Sequence, residues 1–198
     1  MPARKQSPEA PVYQLKVTLA GVRPPVWRRL LVSGETTLAE LHWIIQAAMG
    51  WTDSHLHLFE AEDGQYSHPG WGLEDVKDEG AARLRKVAPQ PKSRLYYEYD
   101  FGDSWEHQLL VEKITAPEPG ASYPRCVAGK RACPPEDCGG VWGYENFLEA
   151  VRDPEHPEHE ETLEWAGGEF DPEAFDLEEV NRELKRLAAK PARKGRHG

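Results

Sequence analysis

Residues 125–144, Arg-Cys-Val-Ala-Gly-Lys-Arg-Ala-Cys-Pro-Pro-Glu-Asp-Cys-Gly-Gly-Val-Trp-Gly-Tyr, hold every cysteine of the chain, Cys126, Cys133 and Cys138, in one turn-rich stretch. A segment with so much glycine and proline and so few apolar side chains cannot order itself by burying hydrophobic surface. Cysteine chemistry is the obvious alternative. The sequence before this stretch reads mostly as strands, and the sequence after it as helices. An odd number of cysteines in a chain expected not to be secreted argues against a disulfide framework and leaves free thiols or a metal site.

The metal reading is a structural zinc ion held by Cys126, Cys133 and Cys138, although their C-x6-C-x4-C spacing is looser than the paired C-x2-C knuckles of ordinary zinc ribbons. Three thiolates need a fourth ligand. His107 is the first choice, because its strand leads into the loop, with His55, His57 or Asp137 as substitutes. The competing reading treats the thiols as small buried apolar groups in a turn pinned by Pro134-Pro135 and Gly139-Gly140. A nucleophilic thiol would need a neighbouring base and an electropositive setting, at which only Lys130 and Arg131 hint.

Alternation of apolar residues predicts strands over 12–19 and 26–32, with Tyr13, Leu15, Val17 and Leu19 on one face and Pro24-Pro25 at the turn. Arg23, Arg28 and Arg29 read as a solvated strand edge. Thr37-Leu-Ala-Glu40 is a capping box that opens a helix over 38–49, which Gly50 ends. Residues 54–60 alternate again and place His55, His57 and Phe59 on one face. Residues 64–91 read as a long connection with one short helix near 81–87. The clearest strands are 95–101 and 104–114, joined at Gly102-Asp103. With a two-residue turn, Asp100 would face Trp105 and Glu98 would face His107, which puts Glu98, Asp100, His107 and an indole on one face. Together with Asp103 these form a candidate acid and base cluster for hydrolysis, with or without a metal.

Beyond the cysteines, Phe147, Leu148 and Val151 mark one helix, residues 157–165 another, and Leu177, Val180 and Leu184 a third behind the cap signature Asp176-Leu-Glu-Glu179. The expected organisation is a disordered N-terminus over 1–11, a single α+β domain over 12–188 and a basic disordered tail over 189–198. Within the domain, 12–125 is rich in sheet, 126–141 is the cysteine loop and 142–188 is helical. The sheet is expected to be curved, mostly antiparallel and rolled against helices, with an acidic helical part at the C-terminal end.

The segments Pro24-Pro-Val-Trp-Arg-Arg29, Tyr99-Asp-Phe-Gly-Asp-Ser-Trp-Glu-His107, Ala132-Cys-Pro-Pro-Glu-Asp-Cys-Gly-Gly140 and Phe170-Asp-Pro-Glu-Ala-Phe175 resemble the Ri-plasmid ORF-three-like family. The resemblance runs from about Tyr13 to Leu187. It implies an α+β fold with a sheet rolled against helices, and it carries a label of transposon passenger or resolvase-like protein. A serine resolvase needs an activated serine among arginines and a basic DNA-binding module. Ser7 lies in the N-terminal tail, Ser33 sits beside a loop glycine, and no helix-turn-helix with a basic face is seen.

The charge is uneven in a way that bears on partners. Residues 145–183 carry fifteen Asp or Glu and two Arg, a local balance of −13, and the last fifteen residues carry six Lys or Arg. This disfavours a nucleic-acid surface, because non-specific affinity depends on neutralising several phosphates at once. No apolar run is long enough to span a membrane, and a cytoplasmic protein is expected. No nucleophile motif, phosphate loop or dinucleotide fingerprint is present. The expected role is therefore a non-catalytic binding or accessory module with a protein partner, with the metal-assisted or acid/base hydrolase as the alternative.

Overall fold

The computed structural model describes residues 10–189. Apart from residues 10, 11 and 189, the N-terminus and tail expected to be disordered lie outside the described residues.

One eight-stranded sheet organises the chain. Its strands are β1 (Val12–Leu19), β2 (Trp27–Ser33), β3 (His57–Ala61), β4 (Gly64–Ser67), β5 (Val76–Asp78), β6 (Arg94–Tyr99), β7 (Trp105–Thr115) and β8 (Arg125–Lys130). They lie in the order β5-β4-β3-β6-β7-β1-β2-β8 in an open, curved sheet, antiparallel except for the β4–β5 pair. The helices are α1 (Leu38–Met49), α2 (Leu84–Val87), α3 (Gly140–Arg152), α4 (His159–Trp165) and α5 (Leu177–Ala189). The α+β class with a curved, mostly antiparallel sheet matches the expectation. Two short strands, β4 and β5, and a 3-10 turn at Pro69–Trp71 occupy the stretch read as a connection. They were illegible because Gly64-Gln-Tyr-Ser67 and Val76-Lys-Asp78 are too short to show alternation.

Period-two patterning and pairing register put one set of side chains under the helices. Tyr13, Leu15, Val17 and Leu19 of β1 are joined by Leu30 and Val32 of β2, Leu109 and Val111 of β7, and Cys126 of β8, all buried. Helix α1 covers this face with Leu38, Leu41, Ile45 and Met49. It begins at the expected capping box, in which Thr37 Oγ1 accepts from Glu40 N and Glu40 accepts from Thr37 N. It ends at Gly50, whose φ of 88° is the left-handed cap that glycine supplies. The opposite face stays polar, with Arg29 paired to Glu112 at 2.7 Å. Arg28, expected at a solvated edge, is buried instead, because its position pairs with Val17 on the inner face.

The hairpin differs from its expected register. Tyr99 pairs with Trp105, Glu98 with Glu106 and Tyr97 with His107, since the turn takes residues 100–104 instead of two. Asp100 and Ser104 both adopt positive φ there, 59° and 51°. The change in register sends every side chain of one strand to the other partner set. Tyr97, Tyr99, Trp105 and His107 form a buried aromatic layer, while Glu98 faces outward and accepts from Ser104 Oγ at 2.8 Å. The acid and base face expected of Glu98, Asp100 and His107 is therefore not formed.

The cysteine stretch opens as a strand, β8, which hydrogen-bonds to β2 and is backed by α5. Leu184 of α5 is fully buried and Phe147 and Leu148 of α3 are nearly so, whereas Leu177, expected inside, is 37% exposed. Helix α3 starts earlier than its apolar stripe suggests, at Gly140, and its first turn lies tightly against the cysteine loop. A Cβ at Gly143 would stand 1.9 Å from the carbonyl oxygen of Cys138. Gly143→Ala is accordingly expected to cost about 3 kcal/mol of stability, against less than about 0.5 kcal/mol for Val127→Ala on the exposed side of β8. Urea titration of both variants checks this, and equal midpoints would contradict the close approach.

His107 sets a second expectation. Its Nδ1 lies 2.9 Å from the Trp105 carbonyl and 3.3 Å from that of Tyr97, so Nδ1 carries the proton. Complete burial pulls its pKa down from 6.5 to about 4. Below pH 6.5 the unfolded chain takes up a proton that the folded chain refuses, so this contribution is complete above that pH and is lost as the pH falls toward 4. The expected loss from this residue between pH 7 and pH 5 is about 2 kcal/mol. Urea midpoints at the two pH values should converge by that amount in His107→Gln relative to wild type, and an unchanged difference would show that His107 does not carry it.

Candidate functional site

Polar groups concentrate where three segments meet: residues 51–57 after α1, the β6–β7 turn, and the loop 132–139. Their bonds run across the junction. Trp51 Nε1 donates to the Pro134 carbonyl at 2.9 Å. Glu136 accepts from Thr52 N at 3.1 Å, Thr52 Oγ1 at 2.6 Å and the Tyr99 hydroxyl at 2.5 Å. Tyr99 in turn accepts from Ser54 N at 2.9 Å. Burial, reinforced by the Glu136 carboxylate, holds the Tyr99 hydroxyl well above its ordinary pKa. Asp103 accepts from Gly139 N at 3.0 Å and so fastens the hairpin turn to the start of α3.

Two groups within this seam bring three metal-capable atoms within 4.8 Å of one another: His42 with Asp53 and His57, and His55 with Asp100 and Asp137. The first is committed to structure. His42 Nε2 is 2.8 Å from Asp53, its Nδ1 is 2.8 Å from the Tyr97 hydroxyl, and His57 Nε2 is 2.8 Å from Glu79. The imidazoles of His42 and His57 stack with centroids 3.6 Å apart and planes within 7°. In-plane lone pairs of parallel stacked rings cannot both aim at one ion. Burial lowers the His42 pKa despite the Asp53 hydrogen bond, which favours a neutral His42 ring.

The second group is different. His55 Nε2 lies 2.8 Å from Asp137 Oδ1 and 3.5 Å from Asp100 Oδ2, yet the atom is closed off from solvent and makes no hydrogen bond of acceptable geometry. The other oxygen of Asp100 accepts from Gly102 N at 3.0 Å. Asp137 is the open side, with its side chain 65% exposed.

The residues expected to bind zinc are dispersed. Among the described residues, the converging groups contain no cysteine and not His107. Cys126 Sγ donates to the Ala128 carbonyl within β8. Cys133 Sγ lies 3.3 Å from Met49 Sδ and 3.6 Å from Arg28 Nη2. Burial pushes the Cys133 thiol up to about 11; burial and the Asp103 charge push Cys138 to about 12. Burial thus disfavours the thiolate form of both groups. Of the substitute ligands, His55 and Asp137 do meet, while His57 is taken by Glu79. Of the acid and base candidates, Asp100 reaches the seam's metal-capable group, Asp103 serves the turn, and Glu98 and His107 lie on opposite faces of the sheet.

Sequence reasoning missed His42, Asp53, Glu79 and Glu136. For His42 the signal was present, since it follows Leu38 by four residues on the inward stripe of α1. For the others none was available, because their partners come from distant segments.

A groove of about 760 Å³ lies elsewhere, at the start of α1, lined by Thr37, Glu40, Trp43, Arg83, Tyr123 and Leu187 among others. Among the described residues no helix is long and apolar enough to cross a membrane.

The uncharacterized protein y4hQ of Sinorhizobium fredii (strain NBRC 101917 / NGR234) is 43% identical over 190 residues, which cover 94% of this chain and 97% of that protein. The crystal structure of MM3350 from Methanosarcina mazei Go1, described as a protein of unknown function, superposes with a TM-score of 0.79 at 41% identity, covering 87% of this chain and 98% of that one. The family described as plasmid pRiA4b ORF-3-like protein matches residues 11–179, and the chain belongs to it.

Proposed function

We propose that the chain is a non-catalytic binding module that receives a basic segment of a partner protein across the seam. The observation that carries this reading is Trp142, whose 79% exposure at the first turn of α3 contributes little to the fold. It does not stand alone. Leu56 and Phe101 are also exposed, and the Leu56 carbonyl accepts from Asp100 N at 2.9 Å, next to Phe101. Gly140, two residues before Trp142, packs against the backbone of Asp103 in the same turn. Leu56 and Phe101 thus belong to two of the segments that form the seam, and Trp142 to the first turn of the helix that follows the third. An indole anchor ringed by polar groups is the usual composition of an energetic hot spot.

Charge selects the partner. Asp103, Glu136 and Asp137 lie at the seam, and the following helices are strongly acidic. A Lys- or Arg-rich protein segment is favoured there, and a nucleic-acid backbone is repelled. The hydrolase reading draws no support from the geometry, because its proposed residues are held apart by the hairpin register. What supports a connection with mobile elements is the plasmid reading frame in the family's description.

Fluorescence anisotropy with two labelled peptides of identical apolar residues, one lysine-rich and one glutamate-rich, tests the proposal. The basic peptide is expected to bind with an affinity that falls as salt rises, and Trp142→Ala to weaken it by about thirtyfold with unchanged unfolding. Equal binding of both peptides, or full affinity in folded Trp142→Ala, would overturn it.

A further inference from the structure

We propose that His55, Asp100 and Asp137 form a binding site for a first-row divalent transition-metal ion. The inference stands apart from peptide binding, since it concerns the floor of the seam and needs no partner. Three features carry it.

The first is distance. Ligands about 2.0–2.2 Å from a common ion stand about 2.8–3.6 Å from one another in octahedral cis or tetrahedral arrangements. His55 Nε2 is 2.8 Å from Asp137 Oδ1 and 3.5 Å from Asp100 Oδ2, inside that window on both sides.

The second is the mismatch between proximity and hydrogen bonding. A protonated Nε2 aimed at either carboxylate would make a charge-assisted hydrogen bond. Here the nitrogen is shielded from solvent, two carboxylates converge on it, and neither meets it at a hydrogen-bonding angle. A cation placed between the three atoms satisfies all of them. In the neighbouring group both ring nitrogens of His42 and Nε2 of His57 meet Asp53, the Tyr97 hydroxyl and Glu79 at hydrogen-bonding distance, and only His57 Nδ1 is left without a partner among the described residues.

The third is the setting of each ligand. Asp100 is 8% exposed, and its Oδ1 is held by Gly102 N, which leaves Oδ2 directed at the site. Asp137 is exposed and supplies an entry side at which water or a ligand can complete the coordination shell. Two carboxylates neutralise a divalent ion. The imidazole nitrogen favours zinc or cobalt over magnesium and calcium, which prefer all-oxygen shells. The ligands come from the segment after α1, the hairpin turn and the cysteine loop, so a bound ion would cross-link the three parts of the seam and stabilise the fold by mass action.

The test uses full-length protein stripped of metal with chelator. Titration with Zn²⁺ and with Co²⁺, each followed by calorimetry and by metal content after dialysis, should give one ion per chain and a raised thermal midpoint. Mg²⁺ should give neither. Asp137→Asn, at an exposed position that does not threaten folding, and His55→Ala should each lower affinity by more than about tenfold. Cys133→Ser should bind as wild type. The cobalt spectrum should show weak visible bands without the near-ultraviolet charge-transfer band of thiolate ligation. Absence of Zn²⁺ and Co²⁺ binding to wild type would overturn the site. So would undiminished binding in both Asp137→Asn and His55→Ala, or a thiolate charge-transfer band that disappears in Cys133→Ser. Loss of peptide binding in Trp142→Ala with metal binding intact separates the two proposals.

Discussion

The buried guanidinium of Arg28 is the constraint on which the arrangement of loops depends. A charge inside a protein must find acceptors in every direction it presents a proton, and Arg28 draws them from four places. Its Nε donates to the Ala48 carbonyl at 2.9 Å, its Nη1 to the Trp27 and Lys130 carbonyls at 2.9 and 3.0 Å, and its Nη2 to Cys133 Sγ at 3.6 Å. Phe175 covers it, with the ring centroid 4.6 Å from Cζ. The Ala48 carbonyl belongs to the last turn of α1, where the helix dipole is negative and α1 has no basic residue of its own. A cation from β2 therefore caps a helix, anchors β8 and gives the cysteine loop a fixed start.

Arg131 acts alongside Arg28, although its buried Nη2 is left without a partner among the described residues. It is fully buried with φ at 68°, and it bonds Glu173 at 2.8 Å and the Pro24 carbonyl at 2.6 Å. Gly129 completes the junction from below, since a Cβ there would lie 2.4 Å from the Phe175 ring. The stretch around the cysteines is thus ordered by arginine hydrogen bonds, an aromatic lid and glycine close approaches. Within it, Cys133 lies against Met49. With its position fixed, the loop can present Glu136 and Asp137 to Tyr99, Thr52 and His55 across the seam.

Local signals were sufficient where structure is local. The capping box at Thr37 and Glu40, the stripe of α1, the alternation in β1 and β7, and the acidic character of the C-terminal helices could all be read from neighbouring residues, and the α+β class follows from them. The resemblance carried by residues 24–29, 99–107, 132–140 and 170–175 identified the family, and the fold brings these same segments together around Arg28, Arg131 and the seam. The length of the hairpin turn was not legible. Asp100 and Ser104 adopt left-handed backbone conformations that their side chains tolerate without announcing, and one such difference moved Glu98 to the far side of the sheet from His107.

The amino-acid sequence by itself determined most of the longer elements, the inward face of β1 and the stripe of α1, because each depends on spacing within a few residues. Only the tertiary structure decided what holds residues 125–144 and where chemistry can occur. Cys133 lies against Arg28 and Met49, and His55, Asp100 and Asp137 meet although long stretches of chain separate them. Convergence of that kind is set by sheet register and by the fixing of loops through buried arginines, both of which are properties of the folded whole.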